Sequence, residues 1–370
     1  MVLKLWANLG IPHIHDLNDG RPQGISDLVE NWRDGKRQMT HSVYSLDGVR
    51  VLTSTFARRV LINDKKTATG VELANGETIL LKPGGQVVIS AGAYRTPQVL
   101  MLSGIGDPSQ LSQHSIPVQV ALPDVGQNLH DHLMMRRFWK LRYPEKGLAI
   151  GSPLFGGPNY EKGGPTDFMV RAPIPREDLK AAVEKDEGPI SDSHPLLKGP
   201  RTHLEMLLMY IAYGTEEQNL SIPIDGNSVT TFWMACLPTS RGSVTIASSD
   251  PKENPVIDPN YYATETDRHV MREGFRMQSR LMFETPEGKE LVEHEHTPPG
   301  YPVLKSDATD EEIDARIKLG GSTTYHPAGT AAMGKVVNAS LKVYGVSNLR
   351  VVDASVVSSY VCAQHLRICD

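Results

Sequence analysis

The chain has 370 residues, of which 39% are hydrophobic and 22% charged, with a net charge of −5. That length supports one large or two ordinary domains with real cores, and the composition excludes a disordered chain. The mild negative balance and scattered lysines and arginines give no reason to expect nucleic acid or an anionic membrane as partner, and no apolar run reaches the roughly 18 residues of a membrane-spanning helix.

The first residues, MVLKLWANLGIPHIHD, carry one lysine and a short apolar stretch broken by Asn8 and Pro12. This is a poor secretory signal, so a cytoplasmic location is the default expectation. Leu3, Leu5, Trp6, Leu9 and Ile11 predict a helix ending at Gly10, and the turn-rich segment after it, 1–44 as a whole, reads as a linking piece. From Val49 the pattern turns to strands. VRVLTSTFARRVLIND reads as extended, and TGVELANGETILLKP as a hairpin turning at Asn75-Gly76.

QVVIS (86–90) is a short continuous apolar run, the mark of a strand buried on both faces. It enters Ala91-Gly92-Ala93 and then a predicted helix at 96–103, with Pro97 in its first turn and Gly104 and Gly106 ending it. A buried strand, a glycine turn and a helix form an α/β crossover whose turn is open to a ligand.

PDVGQNLHDHLMM (123–135) brings His130, Asp131 and His132 together. Imidazole and carboxylate are common metal ligands, but His-x-His points both rings one way only in a strand, and no partner cluster accompanies them. A hydrogen-bonded hinge is expected, and no metal. Residues 143–200 are rich in Gly and Pro and read as long surface loops; strands follow at 202–210, 230–237 and 243–247, without intervening helices, as in an antiparallel sheet. Helices are predicted over 264–283 and, from the capping box of Thr309 and Glu312, over 311–319. Cys236, Cys362 and Cys369 lack ligand spacing and read as free thiols.

The end of the chain holds the most suggestive arrangement. His326 lies in the small-residue loop YHPAGT, and Asp353 ends the apolar run 349–352. A polar residue at a strand end beside a glycine-rich turn is where α/β folds place ligand contacts. Imidazole, with an ordinary pKa of about 6.5, is a competent base near neutrality.

GAYRTPQVLMLSGIG (92–106) and YHPAGTAAMG followed by LKVYGVSNLRVVDAS resemble two signature blocks of the glucose-methanol-choline (GMC) oxidoreductases, FAD-dependent oxidisers of alcohols and sugars. IPVQVALPDVGQNLHDH, PTSRGSVTIASSDPKENPVIDPNYY and the segment around DRHVMREGFR fit the same family in the same order. The resemblance implies an α/β and α+β fold, in which a Rossmann-like FAD-binding domain (45–132 and 323–370) is interleaved with a substrate domain (133–322) on an antiparallel sheet covered by helices. It implies FAD as cofactor, a small-molecule alcohol as substrate, and oxygen or another acceptor for the electrons. His326 matches the proton-accepting histidine. Asp353 and Ala354 match positions near the flavin's ribityl and pyrophosphate, Ala91, Gly92 and Pro97 the cofactor turn, and Ala57 a residue whose backbone meets the adenine.

The chain departs from the family pattern in two places. It contains no G-x-G-x-x-G turn for the pyrophosphate, so the front of the flavin domain is expected to be missing and FAD to bind weakly or not at all. After Asp353 it reads SVVSSYVCAQHLRICD, which puts His365, the candidate second catalytic residue, one place beyond the expected one. Two alternatives stay open: a truncated, non-catalytic member, and a hydroxynitrile lyase-like enzyme, a class that shares this architecture.

Overall fold

The strand-rich stretches of the chain pair as an antiparallel sheet, in a computed structural model that describes residues 1–156, 162–214 and 220–359. Two compact units result, each assembled from three stretches of chain. The first takes 1–45, 132–239 and 262–324; the second takes 46–131, 240–261 and the chain from Tyr325 onward.

The first unit is built on a seven-stranded antiparallel sheet. Its order is Gly24–Asp27, Phe168–Ala172, Leu204–Met209, Ser228–Ala235, Leu133–Leu141 and Val292–Glu295, with Ser322–Thr323 also pairing to Leu133–Leu141. Ser228–Ala235 is buried at every residue, so both faces of the sheet centre are covered. The helix Glu265–Phe283 supplies one cover. Its Met271 carbonyl accepts the Trp233 indole N–H at 3.2 Å, and Phe275 meets the Trp233 ring edge-on at 6.2 Å. Thr264 caps that helix, Asp186 accepts the backbone N–H groups of Glu265 and Thr266 at 2.8 Å, and the Thr309–Glu312 capping box opens Asp310–Gly320 as predicted.

Two predictions for this unit need correction. Residues 1–44 are not a linker: Gly24–Asp27 is an edge strand, and the helix Val2–Ala7 buries Leu5 and Trp6. Nor is 143–200 all loop, because it contains the strand Phe168–Ala172 and the helix Arg176–Glu187. That helix buries only Leu179, Ala182 and Val183 among its charges, too narrow a stripe to stand out in a Gly- and Pro-rich window.

The second unit has its own core, in which Val60, Ile89, Leu100, Met101, Val337 and Leu349 are prominent. Ala57–Ile62, Ala68–Leu73 and Thr78–Leu80 form an antiparallel sheet, with the predicted turn at Asn75-Gly76 between the last two. Val87–Ile89 pairs in parallel with Leu349–Val351, a pairing that joins distant parts of the chain. The run 86–90 is not covered on both faces: Val87 and Ile89 are buried, but Val88 is 53% exposed. The helix after the turn is Gly92–Leu102, not 96–103, so Pro97 lies inside it. Gly104, with φ +79°, follows its end as a left-handed cap, whereas Gly106 belongs to the two-residue strand Ile105–Gly106. The hairpin of Ser243–Thr245 and Val256–Asp258, expected within 133–322, belongs here: Gly242 and Leu129 exchange backbone hydrogen bonds, and Val244 N–H donates to Gly126. Among the described residues no helix is long and apolar enough to cross a membrane, and Cys236 is a buried free thiol; Cys362 and Cys369 lie outside the described residues.

Candidate active site

The site is laid down within the second unit by the crossover turn. Strand Val87–Ile89 ends at Ser90, Ala91 is exposed, and Gly92 opens the helix with φ +77°, a value that favours glycine. Asp353 reaches this turn from the end of the parallel partner strand. Its Oδ2 accepts the Gly92 N–H at 2.9 Å and the Thr96 hydroxyl at 2.6 Å, while Oδ1 accepts from the backbone N–H and hydroxyl of Ser355. A carboxylate on the first N–H of a helix is favoured by the partial positive charge there. Thr96 Oγ1 also accepts the Ala91 N–H at 3.1 Å. Asp353 therefore clamps the turn, and Ala354 follows in the short 3₁₀ turn Ala354–Val356.

The loop after His326 runs beside that 3₁₀ turn. Gly329, Ala331 and Met333 donate their N–H groups to the carbonyls of Ala354, Ser355 and Val356. Pro97 explains a further tie. Lacking an N–H, it leaves the Ala93 carbonyl without its helical donor, and the buried Thr330 hydroxyl donates to that oxygen at 2.6 Å. Thr330→Val removes the donor while keeping the shape, and is expected to cost about 1–3 kcal/mol through the stranded carbonyl. A urea midpoint unchanged from the parent chain would refute this.

Two motifs distant in sequence pair across from this turn. His130 and Ala328 exchange N–H···O bonds of 3.1 and 2.9 Å as an antiparallel bridge. Gly329 is required at the crossing, since its φ is +93° and a Cβ there would stand 2.4 Å from the Asn128 carbonyl oxygen. Asn128, itself left-handed, donates from Nδ2 to the Gly329 carbonyl at 3.3 Å and accepts from Arg241 Nε at 3.0 Å. The next residue in this motif, Asp131, accepts the backbone N–H of His326 at 3.0 Å through Oδ1 and the Tyr261 hydroxyl through Oδ2. Burial first, then the nearby Asp131 carboxylate, push the Tyr94 phenol above its ordinary value.

His326, Ala91, Gly92, Pro97, Asp353 and Ala354 thus belong to one hydrogen-bonded assembly, with His326 half-buried. Ala57 is exposed at the start of its strand; its neighbour Phe56 carries the Arg95 guanidinium over its ring at 5.6 Å. His365 lies outside the described residues. Sequence reasoning gave Tyr261 and Thr330 no role and weighed the stretch holding Asp131 as a metal site against a hydrogen-bonded hinge, without naming the partners Asp131 bonds to. Asp131 and Tyr261 meet across 130 positions, and no local pattern marks such a contact. Among the described residues no group of three or more His, Cys, Asp or Glu side chains is placed to hold a metal.

Comparison with known proteins fits this geometry. A GMC oxidoreductase amino-terminal profile matches residues 3–134, and the carboxy-terminal profile of the same family matches 238–366. The chain belongs to the GMC oxidoreductase family. The GMC-type oxidoreductase acuG of Aspergillus aculeatus is 42% identical over 94% of this chain and 66% of its own length. An alcohol dehydrogenase [acceptor] of Pseudomonas putida is 30% identical over 94% of this chain and 61% of its own. Among solved structures, a formate oxidase of Aspergillus oryzae, studied for its FAD modification, superposes with a TM-score of 0.83 at 28% identity, covering 98% of this chain and 66% of that one. The chain spans less than two thirds of the length of these relatives.

FAD is the cofactor of this GMC family. The turn fits it on one side: among the described residues, no heavy atom outside Gly92, its chain neighbours and its own helix backbone lies within 4 Å of the place a Gly92 Cβ would occupy, so a ligand has room to approach the main chain at Ala91 and Gly92. The glycine-rich phosphate turn has no counterpart among the 370 residues.

Proposed function

We propose that this chain carries the catalytic part of an FAD-dependent oxidoreductase acting on the CH–OH group of a small alcohol. The observation that carries this reading is the assembly in which the His326 loop, the Ala91–Gly92 turn and Asp353 are held together by direct hydrogen bonds. When bound, FAD supplies the hydride acceptor at its N5. An imidazole nitrogen of His326 takes the hydroxyl proton as the carbinol carbon gives up its hydride, so the alcohol leaves as the carbonyl compound and the charges balance. Ala91 and Gly92 form the open main-chain surface that would receive the cofactor, with Ala354 following Asp353. Asp353, committed to the turn, keeps that surface in shape and would stand beside the bound cofactor.

The test is spectroscopic. The purified chain is titrated with FAD and then given a panel of primary alcohols without oxygen. With FAD in large excess, to offset the weak binding expected without the phosphate turn, the expected result is a protein-bound flavin spectrum that bleaches on adding alcohol. A folded chain that takes up FAD yet is bleached by no alcohol overturns the alcohol reading, and release of cyanide from a cyanohydrin would replace it with lyase chemistry.

A further inference from the structure

We propose that Asp131 is the positioning residue of His326, and that Tyr261 holds Asp131 for that task; the proposal rests on the reading of His326 as proton acceptor. Asp131 is 4% exposed, and a carboxylate so deeply buried is retained only when well hydrogen-bonded. Its two oxygens face different segments, Oδ1 accepting the His326 N–H at 3.0 Å and Oδ2 the Tyr261 hydroxyl.

The His326 N–H belongs to no helix or strand, so this contact is not a cap. It fixes the peptide joining Tyr325 to His326. That peptide follows an unusual residue: Tyr325 has φ +63°, a left-handed conformation uncommon for a bulky side chain, and the side chain is 72% exposed. A charge-assisted bond to the very next N–H holds the peptide that follows this residue. The Asp131 carboxylate therefore sets the direction in which His326 leaves the backbone. Its own direction is set by Tyr261, from the end of the DPNYY segment, and by the adjoining bridge of His130 to Ala328. Misplacement of a catalytic group by about 1 Å costs on the order of 100-fold in rate, so a contact of this kind has a catalytic signature.

The experiment compares Asp131→Ala, Asp131→Asn and Tyr261→Phe with the parent chain. Asn keeps an oxygen to accept the His326 N–H. Amide hydrogen exchange, followed on the chain without added cofactor, is expected to be at least about tenfold faster at His326 in Asp131→Ala, unchanged in the strand Leu349–Val351, and near the parent value in Asp131→Asn. Tyr261→Phe is expected to fall between them, and it replaces Asp131→Ala if that variant does not fold. Unchanged exchange at His326 in the folded variants overturns the proposal, whether or not turnover is measurable.

Turnover separates the proposal from the reading beneath it. Asp131→Ala is expected to lower kcat about 100-fold with KM altered less than about threefold, and to cause no further loss in a His326→Ala background. Fully additive losses sink the positioning role while leaving His326 intact. An unaltered rate in His326→Ala alone sinks the reading of His326 itself.

Discussion

Replacing His326 by alanine is expected to lower alcohol-dependent flavin reduction by about 10²- to 10⁴-fold, the usual contribution of a positioned general base. The tie of His326 to Asp131 does not run through the imidazole. His326 is held through its backbone N–H, by Asp131, and that bond survives truncation of the side chain. The neighbouring ties, Thr330 to Ala93, Gly329 to Ala354 and Ala328 to His130, also use atoms that the substitution leaves in place. The flavin spectrum and the urea midpoint of His326→Ala are therefore expected to match the parent chain while reduction slows. A rate within about fivefold of the parent refutes the proton-acceptor role.

The largest stability effect is expected in the first unit, from Glu295→Ala, at about 3–5 kcal/mol. Glu295 is wholly buried and answers two buried cations. Arg137 donates to its two oxygens at 3.1 and 3.0 Å, and Arg316 donates to Oε1 at 2.9 Å. Arg137 also donates to the Ser279 hydroxyl at 2.6 Å and lies between the rings of Trp139 and Phe275, at 4.5 and 4.1 Å from their centroids. Burial lowers the Arg316 pKa, with Glu295 opposing that effect and Arg137 adding to it. Removing Glu295 leaves two guanidinium groups in the sheet interior without a counter-charge. The unfolding midpoint in urea measures the cost, and the triple replacement Arg137→Met, Glu295→Leu, Arg316→Met should recover much of it, because well-packed apolar side chains carry no desolvation penalty. A single variant as stable as the parent contradicts the account.

The two predictions separate what different parts of the chain do. The Glu295 network locks the helix Glu265–Phe283 to the strands Leu133–Leu141 and Val292–Glu295, well inside one unit. The His326 assembly lies within the other, where buried polar contacts hold loops and not a sheet. Polar groups are buried in both, but in the first they fix packing and in the second they fix the backbone around one imidazole.

Much was legible in the sequence, where a signal is local. The capping box at Thr309 needs residues three apart, the turn at Asn75-Gly76 needs two, and the strand–turn–helix at 86–103 needs a short apolar run followed by glycine. The family blocks around Gly92 and His326 are equally compact, and they mark His326, Gly92 and Asp353 as candidates from sequence alone. What tertiary structure alone decided is which of these pieces touch. Pro97 looked like a helix opener; only the fold shows it inside the helix, freeing the Ala93 carbonyl for Thr330. Asp131 looked like a possible metal ligand beside two histidines; its contact with His326 spans 195 positions and that with Tyr261 spans 130. The strand Gly24–Asp27 reads as turn-rich linker because an edge strand gets its partner from 168–172 and not from its neighbours in sequence. Residue type and spacing determine local conformation and the chemistry on offer, whereas hydrogen bonds between distant segments are closed only by the fold, and one of those bonds holds the backbone at His326.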